Sequence, residues 1–248
     1  MVIIKSNTEI AKMQKAGAIT AGALEAAGEA IRVGMTTREL DKIINRYITS
    51  HGAKPSFLGY AGFPASACIS INDVVIHGIP DGRKMLEGDI VSVDVGAYID
   101  GYHGDSAKTF PVGKISPEAE ALMKSTEESL YLALSIAKPG MRIGDLGAAI
   151  QKYNEDRGYS VVRQFVGHGV GKDLHEEPEV PNFGKEGHGV RLVPGMVIAV
   201  EPMINAGAAG VKILKDGWTT VTKDGSLSAH FEHTIAITSD GCVILTKV

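Results

Sequence analysis

The chain has 248 residues, 44% of them apolar and 22% charged, the composition of a soluble globular protein with room for one large domain or two small ones. A formal net charge of −4 leaves no basic footprint for nucleic acid, and no apolar run reaches the length of a transmembrane helix. Two cysteines, Cys68 and Cys242, are too few for a disulfide framework, and Met1–Asn7 lacks the apolar stretch of a signal peptide, so a reducing cytoplasm is the expected location.

In chain order, Asn7 or Thr8 is positioned to cap a helix from Glu9 to about Arg32, with Ile10, Met13, Gly17, Leu24 and Ile31 near one face. Thr36 or Thr37 opens a second helix that runs to about Ser50 and stops at Gly52. Phe57–Phe63 is a Gly/aromatic loop. Ala67–Ile71 reads as a strand, Asn72-Asp73 as a turn, and Val74–His77 as a strand ending at Gly78. Ile90–Tyr98 is then a strand, Asp100-Gly101 a two-residue hairpin turn, and Tyr102–Phe110 the returning strand. That turn sets Ile99 opposite Tyr102, Tyr98 opposite His103 and Gly96 opposite Asp105. Asp94 therefore shares a face with Asp105, as a diagonal neighbour with Cα atoms roughly 7–8 Å apart. Two acids converging on an apolar sheet are costly. Either a divalent cation lies between them, or one acid stays neutral while the other is solvated.

Ser116-Pro117-Glu118 opens a third helix that runs to about Ala137. From there the chain repeats itself. Ala137–Leu146 echoes Ile31–Leu40, and Tyr153 and Gly158 follow Tyr47 and Gly52 by 106 residues. Gly195–Glu201 echoes Gly88–Asp94 at an offset of 107, which aligns Glu201 with Asp94. A period this long indicates a duplicated half. The expectation is a single domain, residues 1–248, made of two pseudo-twofold halves of about 1–112 and 113–248. Their sheets should join into one curved, mainly antiparallel sheet with helices on its outer face, an α+β architecture.

The second half carries Gly167-His168-Gly169-Val170-Gly171, His175-Glu176-Glu177-Pro178 and Glu201-Pro202 at the end of an apolar strand. No P-loop Lys-Ser/Thr follows the glycines, so a nucleotide site is weakly supported. His168 and His175 fit neither the HExxH nor the zinc-finger spacing, and each read alone is a structural histidine. Ser228–Ile235 reads as one strand with His230, Glu232 and Thr234 on one face. Asp94, Asp105, His168, Glu201 and Glu232 then make an oxygen-rich donor set with one nitrogen, suited to Mn, Fe, Co or Zn. Four carboxylates exceed what one catalytic ion takes. Two ions roughly 3.5–4 Å apart, bridged by carboxylates and a hydroxide, account for them and suit hydrolysis of an amide or ester.

In order and spacing, these motifs, with Cys68–Asn72, His77-Gly78-Ile79-Pro80 and Glu232-His233-Thr234, resemble those of the type I methionine aminopeptidases over essentially the whole chain. The resemblance implies the pita-bread fold. It implies a dinuclear site of Asp94, Asp105, His168, Glu201 and Glu232, with Asp105 and Glu232 bridging, Glu201 shuttling a proton, and hydroxide attack on the scissile amide. His77 would contact the substrate near that amide, and His175 would bind the carbonyl oxygen and stabilise the tetrahedral intermediate. Tyr60, Phe63, Cys68 and Trp218 stand at the family's methionine-pocket positions. Trp218, after the Asp216-Gly217 turn, is expected at the rim. Phe57 and Leu174 depart from residues some members carry there, both keeping apolar character. Asn72, Val74 and Ser228 match a monovalent-cation (Na or K) site of some members.

The implied reaction is removal of the initiator methionine from nascent chains whose second residue is small. A monomer is the expected state, with nascent polypeptide N-termini as partners and transient ribosome association. The short N-terminus argues against a proline-directed peptidase of the same fold, and the His175–Glu201 interval has no room for the type II insertion. A non-catalytic binding domain should have lost ligands, and an oxygenase needs two histidines and one carboxylate.

Overall fold

The computed structural model describes residues 1–247; Val248, the last residue of the expected domain, lies outside the described residues. Four helices carry the outer layer. Helix α1 spans Asn7–Ala30 and is capped by Ser6, not by Asn7 or Thr8. Ser6 and Glu9 form a reciprocal capping box, so the helix starts two residues before the expected Glu9 and stops two before Arg32. Helix α2 spans Thr37–Ser50 behind a second box of Thr36 and Glu39. Helices α3, Pro117–Ile136, and α4, Ile143–Glu155, repeat the pair in the second half, with Ser116 capping α3. Among the described residues no helix is long and apolar enough to cross a membrane.

Each helix pair buries its apolar stripe on its own strands. Leu40, Ile44 and Ile48, one turn apart along α2, pack with Ile69, Val91, Val93 and Val95. Leu122 and Leu130 of α3 and Leu146 and Ile150 of α4 pack with Ile198, Val200 and Ile235. Each such side chain contributes about 1.5–3 kcal/mol by leaving water.

The strand Ile90–Ile99 is the axis of the first half. It pairs antiparallel with Ala67–Ile71 and with Tyr102–Pro111, in the register Ile99↔Tyr102, Tyr98↔His103, Gly96↔Asp105. Asp100 and Gly101 both take positive φ, 53° and 88°, the backbone that a tight hairpin demands. In the second half His233–Ile237 pairs with Val197–Val200, which pairs with Gly167–Gly169, which in turn pairs with Glu176–Val180.

Two strand expectations need correction. Val74–His77 stops at Ile76, because His77 adopts φ 58°. Ser228–Ile235 is two strands, Ser228–His230 and His233–Ile237, broken at Phe231-Glu232. The break lies opposite Glu201-Pro202, where the ladder passes from Met203↔His230 to Val200↔His233. Proline has no N–H to continue the ladder. The break frees the N–H of Glu232, which donates to Ala107 O at 2.8 Å in the other half.

The joined sheet is likewise four separately hydrogen-bonded sheets, of four, three, three and five strands. The two halves meet through an apolar cluster in which Met13 and Tyr102 pack with Val170, Val197 and Leu245, and through hydroxyls. Thr234 Oγ1 donates to Asp105 O at 2.7 Å, Ser106 Oγ to Glu232 O at 2.6 Å, and Thr109 Oγ1 to His230 O at 2.8 Å.

Candidate metal centre

The seam between the halves positions the acids. Asp94 sits mid-strand on Ile90–Ile99 and Asp105 on the returning strand. His168 is the middle residue of Gly167–Gly169, Glu201 ends Val197–Val200, and Glu232 occupies the break. The flanking glycines of His168 are sterically required: a Cβ at Gly167 would meet Ala199 O, and one at Gly169 would meet Glu177 O. All five candidate ligands line one pocket of about 180 Å³. Donor atoms of Asp105, His168 and Glu232 lie within 4.8 Å of one another. His168 Nε2 is 3.6 Å from Asp105 Oδ2 and 3.6 Å from Glu201 Oε1.

The electrostatics are those of a cage that needs cations. Burial pushes the Asp94, Glu201 and Glu232 carboxyls well above the carboxylate range, and the neighbouring carboxylates push them further. Asp105 rises to about 7 through burial, held back by hydrogen bonds from Ser106 N–H and Asp94. Asp94 Oδ1, Asp105 Oδ1 and Glu232 Oε1 are buried without a hydrogen-bond partner. Such orphaned oxygens are costly unless something positive reaches them.

Burial, with His175 alongside, lowers His168 to about 3, which keeps its imidazole neutral. Its Nδ1 lies 2.9 Å from Gly169 O. With the proton on Nδ1 for that carbonyl, the Nε2 lone pair faces the acids, the tautomer a metal ligand needs. The donor set and its orphaned oxygens therefore fit divalent metal.

Two further histidines border the cage. Burial lowers His77 to about 4, and its ring stands edge-on to Phe165 and Trp218, with centroids at 5.6 and 6.0 Å. The ring of His175 lies 4.1 Å from that of His168, and its Nδ1 is 2.7 Å from the Tyr60 hydroxyl.

An apolar recess opens beside them. Phe57, Phe63, Ala65, Cys68 and Leu174 form one cluster with Trp218 against it, and Phe63 meets Trp218 edge to face at 5.1 Å. Burial, then Asp94, raises the Cys68 thiol and keeps it neutral. Trp218 is half-buried at the edge of the recess, and Asp216 Oδ1 accepts its N–H and that of Thr219. Asn72 and Ser228 meet elsewhere, where Ser228 N–H donates to Asn72 O at 2.9 Å, and Val74 pairs with Val221.

Four contributors escaped the sequence reading. Ile76, Phe165 and Val166 line the pocket. His230 is buried with Nε2 3.7 Å from Glu201 Oε2. His230 shares an alternating face with Glu232, which was its available signal; Phe165 and Val166 carry no periodicity that marks them.

An acid cage beside an apolar recess, on strands from two helix-backed halves, defines a metallopeptidase. Residues 11–239 match the model of metallopeptidase family M24. The chain is 53% identical over 248 residues to methionine aminopeptidase 1 of Bacillus subtilis (strain 168), covering 100% of both. It is similar to the crystal structures of methionine aminopeptidase from Thermotoga maritima (TM-score 0.98, 45% identity) and Rickettsia prowazekii (TM-score 0.98, 42% identity), covering 100% of each chain and of this one. The chain belongs to metallopeptidase family M24. It is a hydrolase with the pita-bread fold, and its resemblance to methionine aminopeptidases extends over its full length.

Proposed function

We propose that this chain is a metal-dependent aminopeptidase that removes the N-terminal methionine from new polypeptides whose second residue is small. The observation that carries this is the adjacency of the apolar recess to the acid cage, within one pocket. Phe57, Phe63, Cys68, Leu174 and Trp218 offer a narrow, uncharged slot to an unbranched thioether. The acids lie at its mouth, where the first peptide bond of such a substrate falls.

Asp94, Asp105, His168, Glu201 and Glu232 would hold the divalent metal, two ions of manganese, iron, cobalt or zinc. When bound, they supply Lewis-acid polarisation of the scissile carbonyl and lower the pKa of water to the working range. The chain's residues do the rest. The free α-amine is drawn to the acid end, which makes the reaction exopeptidic. His175, oriented by Tyr60 at Nδ1, presents Nε2–H to the carbonyl oxygen as charge develops there. His77, kept neutral by burial, donates near the scissile amide. Glu201 accepts a proton on attack and delivers it to the leaving amine.

The role implies new chains emerging from the ribosome as substrate, a cytoplasmic location, and a monomer of one duplicated domain. Asn72, Val74 and Ser228 are proposed to hold sodium or potassium. The test is release of methionine from Met-Gly-Met-Met, Met-Leu-Met-Met and a Gly-Pro peptide by Mn²⁺-loaded protein. Cleavage of the first alone is expected; cleavage before proline would discard the proposed substrate while keeping the chemistry.

A further inference from the structure

Lys5 is 5% exposed, a rare state for a lysine, whose ammonium leaves water only when paired. Its Nζ lies 2.6 Å from Glu176 Oε2, and both side chains are buried. The other carboxylate oxygen, Glu176 Oε1, accepts the backbone N–H of Lys172 at 2.9 Å and of Asp173 at 3.4 Å. One carboxylate thus closes the loop 170–175, and one ammonium holds that carboxylate. His175 immediately precedes Glu176, so the anchor is a single residue from the imidazole.

The side chains of Tyr102 and His103 lie close enough to feel the Glu176 carboxylate, and backbone bonds brace the loop. His103 N–H donates to Gly171 O at 3.0 Å, and Gly171 N–H donates to Asp173 O at 3.1 Å. A Cβ at Gly171 would strike the Glu176 carboxylate, so that carboxylate lies directly on the loop. Lys5 is itself fixed, its N–H donating to Gly195 O at 2.8 Å, immediately before the Ser6 cap of α1.

We propose that Lys5 is a positioning residue: acting through Glu176, it orients His175 and so sets the turnover rate without touching substrate. The inference rests on the role given to His175 above. Without the ammonium, a buried carboxylate has no counter-charge. Its least costly response is to turn to water, which releases two N–H groups and the loop that aims His175. Asp94, Asp105, Glu201 and Glu232 lie on segments that do not pair with Glu176–Val180. His168 lies on the strand that does, held there by backbone pairing at Gly169↔Glu176 that does not involve the ammonium. The cage therefore keeps its shape while the imidazole of His175 loses its aim. A group displaced by about 1 Å from its working position costs rate far out of proportion to binding.

A double-mutant cycle in the Mn²⁺-loaded protein tests this, with kcat and KM measured on Met-Gly-Met-Met for Lys5→Met, Lys5→Arg, His175→Ala and Lys5→Met/His175→Ala. Lys5→Met is expected to lower kcat by about tenfold or more with KM within about twofold. Lys5→Arg restores most of the loss, Mn²⁺ affinity stays unchanged, and Lys5→Met has no further effect once His175 is alanine. An equal loss of kcat in both backgrounds, or a lowered Tm with kcat intact, overturns the proposal. Should Lys5→Met fail to fold, Lys5→Met/Glu176→Ala removes both charges together with the acceptor that closes the loop. Wild-type kcat in that pair also overturns it. Wild-type kcat in His175→Ala overturns the reading of His175 itself, and this inference with it, which separates the two failures.

Discussion

Removing the metal should invert the ordinary pH dependence of stability. The Asp105 carboxyl moves from 3.8 in the unfolded chain to about 7 in the folded one. A raised folded pKa means that the folded state holds the proton more tightly, so stability is fully present at low pH and is lost as pH rises through 7. About 3 pKa units correspond to about 4 kcal/mol, of which about 3 kcal/mol falls between pH 5 and 8. Asp94, Glu201 and Glu232, raised by the same burial, act in the same direction. Against a total of about 5–15 kcal/mol for a folded domain, that loss is large. The assay is urea unfolding of chelator-treated protein at half-unit steps from pH 5 to 8, beside the Mn²⁺-loaded protein. The metal-free midpoint should fall with rising pH. The loaded protein, whose acids are ionised against cations, should not follow it. Asp105→Asn should flatten part of the metal-free slope. A metal-free protein as stable at pH 8 as at pH 5 would refute the reasoning, because the four acids could not then be mutually uncompensated.

Three further substitutions probe separate links. Tyr60→Phe deletes the hydroxyl 2.7 Å from His175 Nδ1 and should lower kcat by roughly tenfold with Tm unchanged, since Tyr60 is half-open to water. Phe63→Ala removes a buried wall of the recess and should cost about 3 kcal/mol in unfolding free energy. In peptide assays it should also raise kcat/KM for N-terminal Leu or Phe relative to Met. Thr234→Val leaves the Asp105 N–H and C=O unpaired across the seam and should cost about 1–3 kcal/mol in urea unfolding.

What was legible in the sequence followed from local chemistry. Asp100-Gly101 admits one tight turn, and a tight turn determines a register, so the convergence of Asp94 and Asp105 is legible in the residues alone. The same logic was available for α1, where Ser6 and Glu9 stand at capping-box spacing, although Asn7 and Thr8 are also good caps and only packing selects among the three. The break at Phe231-Glu232 was not legible. The alternation there is unbroken, and its cause is Pro202, a residue of the partner strand. Phe165 escaped for the same reason, because its place beside His77 depends on how segments distant in sequence abut, whereas His230 carried a signal in the alternating face it shares with Glu232. The acids Glu201 and Glu232 were readable only because the repeat aligned one of them with Asp94 and the other shared its burial. The Lys5–Glu176 pair, 171 residues apart, has no sequence signal at all.

The most direct test of the account titrates metal-free protein with Mn²⁺ while bound metal and methionine release from Met-Gly-Met-Met are followed on the same sample. No release is expected without metal, release should rise with occupancy of the cage, and both tight binding and release should be lost in Asp105→Ala. Undiminished release from metal-free protein, or from Asp105→Ala, would contradict this expectation.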